Sequence, residues 1–287
     1  MKAGYFGPEG TFTHEALLAA SQGGAELELV ALPTIYDTVM AVHEQTVQRG
    51  LVPIENSLEG SVNATLDALA METEDVAILG EVVRPIRHCL IAREALALED
   101  VQVVISHPQA SGQCARFIRT RLPNAEVRAG SSTAEAVRTV AGHDGPWAAL
   151  GTRVAAERYG CQVLLDGVED VADNETRFVW LGRVGEPPGG PGPVPAGGPL
   201  GPWKTAIVFW GVGSEAPGWL VACLGEFAGR GVNLTRIESR PRKQGLGRYM
   251  FFCDLEGRDG DAAVAASLDA VRTHVETLRV LGSFPAA

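Results

Sequence analysis

Along the first 184 residues, short apolar runs alternate with stretches in which apolar residues return every three or four positions. "AGYF" precedes "FTHEALLAA", "LELVAL" precedes "TIYDTVMAVHEQTVQRG", and "LVPIEN" precedes "SVNATLDALAM". The runs have strand length, and Ile35, Val39, Val42 and Thr46 keep one helical face apolar, so each pair predicts a strand followed by a helix. A second series follows: a long extended "AILGEVVRPIRHCLIA", "VQVVI" into "SHPQASGQCARFIRTRL", "EVRAG" into "SSTAEAVRTVAG", and "WAALG" into "TRVAAERYG". Ser132 and Glu135 have the spacing of a capping box. This rhythm predicts an α/β fold in two lobes. Two late strands, "CQVLL" and "TRFVWLG", are expected to return to the first lobe, giving lobe one at about 1–76 and 161–184 and lobe two at about 77–160. Crossing strands between two lobes would leave a cleft, where small-molecule sites are usually placed.

Between residues 185 and 202 only Glu186, Val194, Ala196 and Leu200 are neither Gly nor Pro, so neither a helix nor a ladder can be sustained. This is a linker. Beyond it, residues 203–287 read strand, helix, strand, strand, helix, strand, the ferredoxin-like βαββαβ order. The chain of 287 residues is therefore expected to hold a first domain over 1–184 and a small second one over 203–287.

Charge and cysteine usage narrow the function. With 24 basic against 35 acidic residues the net charge is −11, which disfavours nucleic acid and an anionic membrane as partners. The five cysteines, at 89, 114, 161, 223 and 253, form no CxxC pair and no cluster with histidine at zinc spacing, so neither a disulfide frame nor a metal site is expected. No signal peptide and no run of about 18 apolar residues is seen, which predicts a soluble cytoplasmic protein.

Four polar clusters fall at strand ends, where helix N-termini offer free N–H groups to anions. "GPEGTFTHEA" has two glycines for close approach, and Thr11 or Thr13 can cap the next helix. "PIENSLEGSV" puts Glu55 and Asn56 directly after a strand, with Ser61 able to cap. In "SHPQASGQ", Ser106 can cap, and Gln109 and Gln113 share a helix face; His107, next to a proline, reads as structural or exposed. In "DNETRFVWLG", Asn174, Thr176 and Arg177 lead into a buried run, and the arginine can grip a carboxylate or pair with Asp173 or Glu175. No Ser-His-Asp order, Walker loop, GxGxxG fingerprint or HExxH occurs. Hydroxyl, amide and arginine chemistry is left, suited to binding a polycarboxylate and catalysing an intrinsically easy step.

These four motifs, in order and spacing, resemble those of the bacterial prephenate dehydratases, and "ESRP" at 238–241 resembles the signature of that family's ACT regulatory domain. The resemblance covers nearly the whole chain. It implies a catalytic domain of two lobes similar to type II periplasmic binding proteins, then an ACT domain, in homodimers or homotetramers without metal or organic cofactor. It also implies conversion of prephenate to phenylpyruvate in phenylalanine biosynthesis, with phenylalanine as the effector. Carried over by residue, it assigns catalytic roles to Thr176, Glu55, Asn56, Ser106 and Gln113, and substrate contacts to Arg177, Phe178, Thr11 and Asn174. Gly218, Trp219 and Leu220, with Glu238, Ser239, Arg240 and Pro241, are assigned to the effector site. One departure stands out: the family's Gly-Ala-Leu-Val is here Gly218, Trp219, Leu220 and Val221. Thr176 is expected to donate to the departing hydroxyl and Arg177 to hold the pyruvyl carboxylate. Arogenate dehydratase and a non-catalytic carboxylate sensor are the alternatives.

Overall fold

A computed structural model describes residues 1–21, 27–190, 202–211 and 216–287. The first lobe contains β1 (Lys2–Phe6), α1 (Phe12–Ala20), β2 (Glu28–Leu32), α2 (Ile35–His43), β3 (Arg49–Asn56), β4 (Gly60–Ser61), α3 (Asn63–Asp67) and β5 (Val76–Pro85). The second contains β6 (Cys89–Ala92), β7 (Val103–Ser106), α4 (Pro108–Gln113), α5 (Ala115–Arg121), β8 (Glu126–Ala129), α6 (Thr133–Ala141), β9 (Trp147–Gly151), α7 (Arg153–Tyr159) and β10 (Gln162–Leu165). The chain then returns to the first lobe as β11 (Glu175–Arg183). The sheets run β2-β1-β3-β11-β5, with β4 on β3, and β10-β6-β9-β7-β8.

The two α/β lobes and their crossing strands are as expected, but two strands belong to the other lobe. β5 pairs with β11 in lobe one, and β10 pairs with β6 in lobe two. The boundaries at 76/77 and 160/161 are therefore corrected. The stretch 77–92 mixes apolar residues with Glu81, Arg84, Arg87 and His88 throughout, so its composition does not show where it leaves one sheet for another. Here the change comes at Pro85, which ends β5 and has no N–H to extend the ladder. The crossings lie side by side: Ile86 N–H donates to Asn174 O at 2.8 Å and Val168 N–H to His88 O at 3.0 Å. Of the expected linker, residues 185–190 fold back on lobe one through Gly189 N–H to Leu79 O, while 191–201 lie outside the described residues.

The C-terminal domain follows the expected order: β12 (Trp203–Trp210), α8 (Trp219–Ala228), β13 (Leu234–Pro241), β14 (Tyr249–Glu256), α9 (Ala262–Arg272) and β15 (Thr277–Pro285). Its sheet, β13-β14-β12-β15, packs its helices on one face through Phe209, Cys223, Phe227 and Leu268. The other face lies on lobe one, and one core joins Val52, Ile54, Ile78, Val179 and Leu181 to Ala206, Val208, Phe252, Leu281 and Phe284. β15 crosses β5 so closely that a Cβ on Gly282 would overlap the Ile78 carbonyl. On its opposite face, lobe one packs α1 through Tyr5, Leu17, Leu51, Phe178 and Trp180.

Polar contacts tie the same interface. Arg177 donates from Nε to Glu55 Oε2 at 3.1 Å, from Nη1 to Glu81 Oε2 at 3.1 Å and from Nη2 to Asp254 Oδ2 at 2.6 Å. Lys204 Nζ reaches Glu81 Oε1 at 2.8 Å, and Arg236 Nε stands 3.7 Å from Glu55 Oε1. Three cations thus face three carboxylates, with Arg177 only 9 % exposed. Further out, Arg240 pairs with Asp67, Ser61 donates to Glu238, and Arg279 donates to the carbonyls of Ala70 and Thr73.

Removing the Arg177 charge would strand buried acids. Arg177→Met is expected to lower stability by about 3–5 kcal/mol, the usual cost of breaking a buried charge cluster from one side. Urea unfolding followed by far-ultraviolet circular dichroism measures it; a midpoint equal to the parent's would mean that the cluster is solvated.

Candidate active site

A cavity of about 290 Å³ opens between the lobes. Its lobe-one wall is Phe6, Thr11, Asn56, Thr176 and Phe178, its lobe-two wall His107, Gln109, Gln113 and Ser131–Thr133, and its base Ile86 and His88. No lysine or arginine is among the lining residues. Positive potential comes from backbone, because α1 and α6 both begin at its wall. Thr11 caps α1 by accepting from His14 N–H, and Ser132 caps α6 by accepting from Glu135 N–H. The predicted capping box is seen in its serine half. Gly10, at φ +89°, makes the turn before α1; a Cβ there would stand 3.0 Å from the Cβ of Ala155 in the other lobe.

Five side chains form a hydrogen-bonded chain across the cleft. Asn56 Oδ1 accepts from the N–H groups of Leu58 and Glu59, both at 3.0 Å, which fixes the orientation of its amide. Its Nδ2 therefore donates, to Thr176 Oγ1 at 2.9 Å and Asn174 Oδ1 at 2.7 Å. Asn174 Nδ2 donates onward to Gln113 Oε1 at 3.1 Å, and the Gln113 amide N–H faces Glu59 at 3.3 Å. Gln113 Oε1 has no hydrogen to give, so the 3.0 Å contact with His88 Nε2 requires the proton on that nitrogen. The chain runs from lobe one through Asn174 and His88, in the crossings, to Gln113 of lobe two. Asn56 occupies one acceptor position of Thr176 Oγ1, and the threonine proton has no hydrogen-bond acceptor among the described residues.

His88 is buried, and its Nδ1 has no partner among the described residues. Burial lowers its pKa below the ordinary imidazole value, against the opposing pull of the Gln113 hydrogen bond. Burial likewise lowers the pKa of His14, whose Nδ1 accepts from Gly10 N–H. Both are neutral near pH 7.

Of the residues expected at the site, the structure brings together Thr176, Asn56, Gln113, Asn174, Phe178 and Thr11. It corrects three others. Ser106 is buried and donates to Leu150 O at 2.8 Å, outside the cavity lining; His107, not Ser106, caps α4. Arg177 and Glu55 face away from the cleft, toward the C-terminal domain. For Arg177 this is strand alternation: Thr176 and Phe178 line the cleft, so the residue between them cannot. For Glu55 it is a bulge. Thr176 pairs with Asn56 and Arg177 with Glu55, but Phe178 pairs with Pro53, leaving Ile54 extra. The extra residue reverses the alternation that Pro53 starts and puts Asn56 in the cleft. His88, Ser132 and Thr133 were not singled out as site residues. His88 sits in a long extended stretch with no motif around it, Ser132 reads as a cap, and Thr133 follows it without a mark of its own.

The expected effector residues divide. Gly218, Trp219 and Leu220, with Tyr249 and Phe251, line a cavity of about 280 Å³ at the start of α8. The Trp219 indole leans on Phe209 and Phe251, with centroids 6.1 and 5.9 Å away, and donates from Nε1 to His274 O at 2.7 Å. Ser239 and Pro241 pair with Phe251 and Tyr249 on the neighbouring strand, so β13 runs along the rim. Glu238 and Arg240 point instead to Ser61 and Asp67 of lobe one. Within one chain these two do not line the Trp219 cavity, again because neighbouring residues of a strand face opposite ways.

The prephenate dehydratase family model matches residues 3–186, and the ACT domain model matches residues 215–273. A prephenate dehydratase of Mycobacteroides abscessus is 38% identical over 286 residues, covering 98% of this chain and 89% of the relative. The crystal structure of a prephenate dehydratase from Arthrobacter aurescens in complex with L-Phe superposes with a TM-score of 0.87 at 35% identity, over 99% of this chain and 89% of that one. GqqA, of a novel type of quorum quenching acylases, superposes with a TM-score of 0.83 at 29% identity, over 100% of this chain and 98% of that one. The family match over the two-lobed domain, and the near-complete coverage of its relatives, make this chain a member of the prephenate dehydratase family with a C-terminal ACT domain.

Proposed function

We propose that the cleft converts prephenate to phenylpyruvate, carbon dioxide and water, with Thr176 as the hydrogen-bond donor to the departing hydroxyl. The observation that carries this is the fixed Asn56 amide, which donates to Thr176 Oγ1 at 2.9 Å and so leaves the proton of this cavity-lining hydroxyl free for a substrate. In the reaction the electrons of the ring-carboxylate bond move into the ring as carbon dioxide leaves. The ring becomes aromatic, the bond from C4 to oxygen breaks, and hydroxide takes a proton to leave as water. A threonine hydroxyl titrates far above neutral pH, so it lowers the barrier by donating as charge builds on that oxygen, or by relaying a proton.

The cation-free lining suits this chemistry. A guanidinium on the departing carboxylate would stabilise the ground state and oppose its loss. We assign the hold on the pyruvyl carboxylate to the N-terminal turns of α1 and α6 in place of Arg177, since their dipoles bind an anion without a side-chain cation. The side walls of Phe178 and Phe6 fit an apolar ring. Arogenate carries an amine where prephenate carries a ketone, and this cation-free wall would accept either acid.

Full-length protein with prephenate should form phenylpyruvate, followed by its absorbance, and turnover of prephenate and arogenate side by side decides between the two acids. Intact prephenate after incubation with the folded chain would contradict the dehydratase reading. Thr176→Ala is expected to lower kcat by about 2–4 kcal/mol in barrier with little change in KM, as for loss of one preorganised donor. Unchanged kcat would make Thr176 a structural residue.

The pH dependence follows from His88. Its pKa is lower in the folded chain than unfolded, so the unfolded chain binds the extra proton more readily. Its contribution to stability is complete above the unfolded value of about 6.5 and is lost as pH falls through the folded value. Urea midpoints measured from pH 8 to 5 should fall on the acid side, and His88→Gln should flatten that fall. An equal slope in the two proteins would contradict it.

For regulation, we assign phenylalanine to the cavity beside Trp219, completed by a second subunit in a homodimer or homotetramer. Calorimetry with phenylalanine, tyrosine and tryptophan should show phenylalanine binding to the intact chain, with altered affinity in Trp219→Ala. Binding that appears only in Trp219→Ala would mean that the indole plugs the pocket.

A further inference from the structure

We propose that Asp254, in the ACT domain, is a positioning residue for Thr176 and acts through Arg177; this rests on the dehydratase reading. The argument begins with β3 and β11. Their register places Asn56 opposite Thr176 and Glu55 opposite Arg177. Each strand thus shows one residue to the cleft and its neighbour to the ACT sheet. Arg177 bonds Glu55 from Nε at 3.1 Å, so a single guanidinium holds the backs of both residues that meet in the cleft as Asn56 and Thr176.

Where that guanidinium sits is set from three sides. Glu55 and Glu81 belong to lobe one, and alone they would draw Arg177 toward the plane of its own sheet. Asp254 pulls from the opposite side, on β14, with the shortest of the three bonds at 2.6 Å. Its side chain is only 4 % exposed, so water cannot replace it cheaply. Arg236, also from the ACT domain, flanks Glu55 and donates to Ser61 Oγ at 2.6 Å. Without the Asp254 charge, Arg177 relaxes toward Glu55 and Glu81, and the backbone at 176–177 and 55–56 moves with it. A reacting donor tolerates little displacement.

The test uses the full chain. Asp254→Asn removes the charge and keeps the shape, while Asp67→Asn cuts a second cross-domain tie, to Arg240, that does not involve β11. Asp254→Asn is expected to lower kcat on prephenate about tenfold to a hundredfold, with KM within about twofold. It should also shift the Thr176 methyl resonance, identified by its disappearance in Thr176→Ser. Asp67→Asn should leave kcat and that resonance in place. Asp254→Glu keeps the charge on a longer arm and is expected to fall between parent and amide; it decides the matter if Asp254→Asn does not fold. Parental kcat and methyl position in the folded Asp254 variant would overturn the proposal. So would an equal loss of kcat in Asp67→Asn, which would mean that docking of the domain, not Arg177, is what matters. A parent chain inert toward prephenate would sink the dehydratase reading instead, and the methyl shift would still decide the positioning role.

Discussion

The buried guanidinium of Arg177 is the constraint on which both faces of lobe one depend. Burial alone would pull its pKa down, but the charges of Asp254, Glu55 and Glu81 outweigh that and raise it, so it stays charged. Glu81 shows the converse: burial pushes its carboxyl up, and hydrogen bonds from Lys204 and the Ala287 N–H, with the charges of Lys204 and Arg177, bring it below the usual range. Each charge is tolerable only because the others are present. That makes the cluster a specificity device more than a source of stability, since an apolar contact of equal volume could serve the interface as well. It lies directly behind the residues that strand alternation and the bulge at Ile54 turn into the cleft.

The cleft itself follows a different electrostatic logic. Its polar side chains are amides, hydroxyls and imidazoles, and the amides of Asn56, Asn174 and Gln113 are each oriented by a backbone group or by the next amide in the chain. Such an array needs no counter-ion and presents fixed dipoles to a doubly charged acid. On the proposed reaction this separation has a purpose. The cations that would grip a carboxylate are sequestered on the far side of the sheet, one residue away from the donor, where they serve the domain interface without opposing decarboxylation.

Much of this was legible in the sequence, and the failures share a cause. The α/β rhythm, the βαββαβ order and the meeting of Asn56, Gln113, Asn174 and Thr176 could all be read from runs and strand ends. What could not be read was parity. Thr176 and Arg177 lie in one motif, yet alternation sends them to opposite faces, and nothing in "TRFVWLG" says which face is the cleft. Glu55 and Asn56 are harder still, because the bulge at Ile54 reverses a count that starts correctly at Pro53. Lobe membership of β5 and β10 failed for a related reason: apolar runs report burial and not the sheet in which they are buried. His88 belongs to no motif of the sequence, and its place in the site is visible only through its contact with Gln113.

The interface also limits how an effector could reach the cleft. Lobe one and the ACT sheet share a continuous core, and β15 lies against β5 with no room for a side chain at Gly282. Two surfaces packed in this way shift as bodies and do not deform gradually. An effector bound at the start of α8 would therefore act by favouring one seating of the ACT sheet over another, with a coupling no larger than its difference in affinity for the two. Glu238 and Arg240 lie in that interface. They share β13 with the rim residues Ser239 and Pro241, while their side chains hold Ser61 and Asp67 of lobe one. One strand thus pairs with the residues that line the Trp219 cavity and holds lobe one with its alternate side chains, so a displacement of β13 is felt on both sides.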